Sequence, residues 1–142
     1  MTASVESGVG YLVKRVQQAL RRRCDAALRR TGVSMSQYAV LRALADHPQA
    51  SAAELARLCF VTRQSLQDVL AGLRSAGLVD DADVQTRGRA RALTLTATGR
   101  RRLAAAHTAV IAVEAQMLTG LSATDRDRLS RLLGVCAENL EG

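Results

Sequence analysis

The stretch at residues 51–79, SAAELARLCFVTRQSLQDVLAGLRSAGLV, restricts the fold of this chain more than any other. It opens on Ser51 with Glu54 three residues later, the pairing that satisfies free amides at a helix start. The short segment AAELARLCF follows and breaks at Val61 and Thr62. Thr62 is a good N-cap for the next helix. Leu66, Val69, Leu70 and Leu73 then recur at the spacing of one helix face. Gly77 ends that helix, because glycine accepts the left-handed conformation of a helix C-terminus.

Upstream, residues 11–30 carry Leu12, Val16, Leu20, Cys24, Ala27 and Leu28 on one face, with arginines between them and Gly32 as the stop. SMSQ is a capping box of Ser34 and Gln37 that opens a helix with Tyr38, Leu41 and Leu44 on one side. That helix ends near DHP, which contains the single proline, Pro48.

Beyond Gly77 the periodicity changes. GLVDDADVQTRGRARALTLT reads as a strand at 78–80, a polar tip around Gly88 and a returning strand near 89–95, with Thr94, Leu95 and Thr96 alternating. A long helix is expected from Thr98, with Leu103, Val110, Val113 and Met117 on one side. SATD caps a last helix carrying Leu129, Leu132, Leu133, Cys136 and Leu140. The expected fold is one domain over 1–142, mainly α with a small β-hairpin (α+β), and its middle is a helix-turn-helix followed by a β-wing.

Charge narrows the partners. The 142 residues carry a net charge of +7, with a pI of about 10.6. Residues 81–102 hold six arginines against two acids, so positive charge is densest just after the second helix of the pair. That balance favours a polyanion, nucleic acid first. Aromatic residues are only 2% of the chain, which argues against single-stranded or RNA binding through base stacking. No apolar run approaches a membrane span and no signal peptide is legible, so a cytoplasmic protein with no membrane partner is expected. Cys24, Cys59 and Cys136 are far apart and odd in number, and His47 and His107 are isolated. They imply no disulfide framework, metal site or cofactor. No nucleophile–base pair or phosphate loop supports an enzyme.

The segments SMSQYAVLRAL, SAAELARLCFVTRQSLQDVLAGLRSAGLV and RGRARALTLTATGRRRL together resemble the multiple-antibiotic-resistance regulator (MarR) family of bacterial winged-helix transcription factors. The resemblance covers about 34–103, which would be the winged helix-turn-helix. It implies a homodimer built by helices at 8–30 and 104–142. It also implies a transcriptional regulator, a repressor by expectation, that binds a pseudo-palindromic operator on double-stranded DNA and is released by a small aromatic or phenolic ligand.

In a helix-turn-helix the front of the second helix reaches base edges in the major groove. Arg63, Gln64, Ser65 and Gln67 occupy that position. Arg87, Arg89 and Arg91 flank the wing tip, where an arginine reads minor-groove shape. Arg89 matches the family's wing arginine by its distance from LT. Arg100, Arg101 and Arg102 open the next helix and are candidates for phosphate contact. Three positions depart from the family pattern: Arg87 stands where an acid is common, Asp80 and Asp81 follow GLV where Arg or Lys often does, and Asp68 stands where an arginine often reaches DNA.

A ligand pocket between the helix-turn-helix and the dimer helices would involve Tyr38, Arg42 or His47. Two other readings use the same scaffold. One is a thiol switch at Cys24 or Cys59, which requires an exposed, low-pKa thiolate; three arginines precede Cys24 and would favour one. The other is a winged helix used only for protein contacts.

Overall fold

The computed structural model describes residues 4–81 and 93–142. Helix α1 spans Val9–Leu28 and continues through a 3-10 turn at Arg29–Thr31 into Gly32, whose φ of 72° closes the unit. Helix α2 is Met35–Asp46, opened by the complete Ser34–Gln37 capping box. Helix α3 is Ala52–Leu58, capped by Ser51. Helix α4 is Arg63–Ser75, capped by Thr62. Strands β1 (Val79–Asp81) and β2 (Leu93–Leu95) pair antiparallel, with Val79 opposite Leu95 and Asp81 opposite Leu93. Helices α5 (Ala97–Met117) and α6 (Ala123–Glu141) complete the order.

Each polar start closes a specific amide. The Ser51, Thr62, Thr96 and Ser122 side chains accept from the backbone N–H three residues on. One such cap contributes about 1 kcal/mol. Thr96 corrects the strand expectation: it caps α5 rather than extending β2, so the helix begins at Ala97. Its hydroxyl accepts from Gly99 N–H at 3.0 Å and donates to the Gly77 carbonyl at 2.7 Å. That second bond joins the end of α4 to the start of α5, a role that alternation along the strand does not reveal.

The core lies between α2, α4 and the strand pair. Leu28, Val40, Leu41, Leu66, Leu73, Leu78 and Val79 are almost wholly buried. Fully burying a leucine or valine side chain contributes roughly 1.5–3 kcal/mol. Helix α1 runs antiparallel to α5: Arg23 donates to the Gln116 side-chain carbonyl at 2.7 Å, and Arg102 reaches the Thr31 carbonyl at 3.4 Å at the other end. Ala106 is the residue of α5 most deeply in the core. It is small enough to let the helices approach, so the apolar stripe of Leu103, Val110 and Val113 understates where α5 packs.

Helix α6 behaves differently. None of its residues is buried, although Leu129, Leu132, Leu133 and Leu140 repeat along it. Val9, Val13 and Val16 of α1 are exposed as well. Among the described residues no helix is long and apolar enough to cross a membrane.

Candidate nucleic-acid interface

Helix α4 has two faces with separate tasks. Leu66, Leu70 and Leu73 are buried and fix its position on the core. Arg63, Gln64, Ser65, Gln67 and Asp68 are exposed at its front. Because Leu66 is fully buried within the first turn, the residues on either side of it project from a rigid base. All four sequence-selected residues of this helix thus stand exposed at its N-terminal end.

They are not equivalent. The Thr62 hydroxyl accepts from Ser65 N–H at 3.0 Å and donates to the Ser65 hydroxyl oxygen at 3.0 Å. Ser65 is therefore engaged in the cap. The Gln64 amide donates to Asp68 Oδ1 at 3.4 Å. That contact leaves the Gln64 side-chain carbonyl available to accept from a base donor such as adenine N6. Asp68 thereby orients Gln64, a task that residue type alone does not disclose.

The hairpin base is tied to this helix. Arg74 near the end of α4 approaches Asp81 of β1 at 3.8 Å. Asp81, a departure from the family pattern, thus has a partner near the end of α4, while Asp80 stays exposed. The wing arginines Arg87, Arg89 and Arg91 lie outside the described residues. Arg100, Arg101 and Arg102 are exposed at the start of α5.

A second polar cluster sits where α2 meets α5. The Tyr38 hydroxyl is 3.0 Å from His107 Nδ1, and the two rings are nearly parallel with centroids 6.3 Å apart. Arg42 approaches the same nitrogen at 2.6 Å. A guanidinium only donates, so the imidazole nitrogen accepts from it. Arg42 also pairs with Asp46 at 3.0 Å, and that carboxylate holds the guanidinium even more firmly in its charged form. Tyr38 and Arg42 lie one helical turn apart and converge. His47 does not join them: it is the exposed C-cap residue of α2. The third member is His107, which reading by residue spacing left isolated. Its signal was position, four residues after Leu103 and three before Val110, on the inward stripe of α5.

Cys24 is buried and Cys59 partly buried, whereas a thiol switch at either needs an exposed, low-pKa thiolate. Cys24 is 1% exposed. Burial pushes its thiol up, and Asp25 and Glu114 add to the shift. Burial raises Cys59 too. The arginines before Cys24 do not offset this, because they project to solvent while the sulfur packs inward. Among the described residues no group of His, Cys, Asp or Glu is arranged to hold a metal ion.

Comparison with known proteins agrees with this geometry. A family model described as "MarR family" matches residues 31–90. The HTH-type transcriptional repressor Rv2887 of Mycobacterium tuberculosis is 37% identical over 128 residues, which cover 90% of this chain and 92% of that protein. The crystal structure of Rv2887 in complex with salicylic acid superposes with a TM-score of 0.76 at 35% identity, covering 94% of this chain and 99% of that one. The Rv2887 complex with DNA gives a TM-score of 0.73, also at 35% identity, over 92% and 98% of the two chains.

Proposed function

This chain belongs to the MarR family, and from that premise we propose that it is a dimeric DNA-binding transcriptional regulator, acting as a repressor. The observation that carries the reading is the front of α4, where Arg63, Gln64 and Gln67 stand exposed beside a fully buried Leu66. Rigid placement of donor-rich side chains is what base readout requires, since a bidentate arginine–guanine or glutamine–adenine pair discriminates by about 1–3 kcal/mol. The arginines at 87, 89 and 91 are assigned to the minor groove on their charge and their place in the sequence. Rv2887, a relative crystallised with DNA, supports the same use of the scaffold.

The dimer supplies two recognition helices for a pseudo-palindromic operator. Helix α6 supports this: 19 residues with a leucine-rich face and no buried side chain are not a stable helix by themselves in water. A second copy that covers this face and the exposed valines of α1 resolves the problem.

The ligand is a small aromatic carboxylate seated near Tyr38, Arg42 and His107. A guanidinium, a phenol and an imidazole within hydrogen-bond reach of one another suit a carboxylate attached to a ring. Salicylic acid in a crystal structure of Rv2887 supports that ligand class. A ligand there touches both α2 of the DNA-binding half and α5 of the dimer half. It therefore biases the spacing of the recognition helices by whatever affinity difference it has for the two arrangements.

The test is selection of duplexes from a random DNA pool, followed by titration of the winner at two salt concentrations with wild type and Arg63→Ala. A palindromic winner, a steep salt slope and a loss of about 1–3 kcal/mol on mutation are expected. No enriched duplex and no salt-sensitive binding would overturn the reading in favour of a winged helix used for protein contacts.

A further inference from the structure

The turn between α3 and α4 contains the most exposed large apolar side chain in that region, Phe60, which is 93% exposed. It is also the only non-glycine residue with positive φ among the described residues, at 56°. The backbone explains the angle. Phe60 N–H donates to the Arg57 carbonyl at 3.2 Å, and Val61 N–H reaches back to the Ala56 carbonyl at 3.0 Å. That pair of bonds closes the end of α3 and requires a left-handed residue between them.

Elsewhere this chain meets the same requirement with glycine. Gly32, Gly77 and Gly120 hold φ values of 72°, 72° and 87° after α1, α4 and α5. Among the described residues only the end of α3 uses a side chain, and a bulky aromatic one. Phe60 therefore bears two costs, a disfavoured backbone conformation and an aromatic ring left in water. Its 93% exposure means that packing within the chain offsets neither.

We propose that the Phe60 ring is a DNA-positioning contact that packs on the deoxyribose edge of the duplex backbone beside the recognition helix. The assignment rests on the DNA-binding function proposed above. Phe60 lies two residues before Thr62, the cap of α4, and is continuous with the exposed Arg63 and Gln64. Arg57 and Arg63, three residues away on each side, are both exposed. An apolar ring between two cations matches a backbone that alternates apolar sugars with anionic phosphates. A contact to sugar positions the protein and carries no sequence information.

The test uses the whole chain with Phe60→Gly and Phe60→Asn. Both replacements tolerate the left-handed backbone, and only glycine loosens it. Each is titrated against the duplex selected by wild type and against a scrambled duplex. Both variants should melt no lower than wild type. Both should bind the two duplexes more weakly by a similar factor of about tenfold, the scale of one lost apolar contact. The salt slope should not change, because the ring neutralises no phosphate. Wild-type affinity in both variants would overturn the inference, as would weakening by Gly but not Asn. A loss confined to the selected duplex would overturn the assignment to sugar. In those three cases the proposed function stands. A wild type that selects no duplex would instead overturn both.

Discussion

Gly99 lies against the carbonyl of Leu78 so closely that a Cβ at position 99 would overlap it. Leu78 is buried at the entry to β1, and Gly99 is in the first turn of α5. The contact is backbone to backbone, so neither side can yield by changing a rotamer. Thr96 reinforces it, with bonds to Gly77 and Gly99.

Gly99→Ala is therefore expected to destabilise the fold. A methyl forced into a packed contact costs about 1–3 kcal/mol, although alanine is the better helix former. Urea unfolding at equilibrium measures the loss. Gly134 in α6 has nothing within reach of its missing Cβ, so Gly134→Ala should leave stability unchanged or raise it.

The ligand proposal turns on Arg42. Salicylate titrated into wild type by calorimetry should bind, and Arg42→Ala should weaken it by at least about tenfold, the scale of a charge-assisted pair. Tyr38→Phe, which removes only the hydroxyl, should weaken it less. The Arg42 side chain is 42% exposed, so its removal should scarcely move the unfolding midpoint. Unchanged affinity in Arg42→Ala would place the ligand elsewhere.

Helix α6 offers the clearest test of the dimer. Leu132 and Leu133 are half exposed on an unpartnered face. Leu133→Glu should convert a sedimenting dimer into a monomer and abolish binding to a palindrome while sparing the core around Leu41 and Leu66. A dimer that survives this change would have its seam on other residues.

The Cys24 and Cys59 thiols are both raised in pKa, so the folded chain holds their protons more tightly than the unfolded one. Their contribution to stability is present below the ordinary thiol range and is lost as pH rises through it. At neutral pH a thiol reagent should attack both far more slowly than in urea, and peroxide should leave DNA binding intact. Reversible loss of binding with peroxide would favour the thiol switch.

Local chemistry was enough to place the helices, because their boundaries are set by residues that act within three or four positions. Ser34, Ser51, Thr62 and Ser122 close amides next to themselves, and Gly32 and Gly77 stop the chain where they stand. The exposed front of α4 was legible for the same reason, since burying Leu66, Leu70 and Leu73 turns Arg63, Gln64 and Gln67 outward. Relationships between distant residues were not legible. His107 meets Tyr38 and Arg42 across more than sixty positions because α5 packs on α2, and no spacing encodes that. Asp81 gained a partner in Arg74, and Thr96 left the strand to join Gly77 to α5. Phe60 kept a ring where the backbone asks for glycine. Sequence determines which faces are apolar and where each element begins, through propensities and caps that act over one turn. Tertiary structure decides which polar groups converge, because that depends on how whole helices dock to bury those faces.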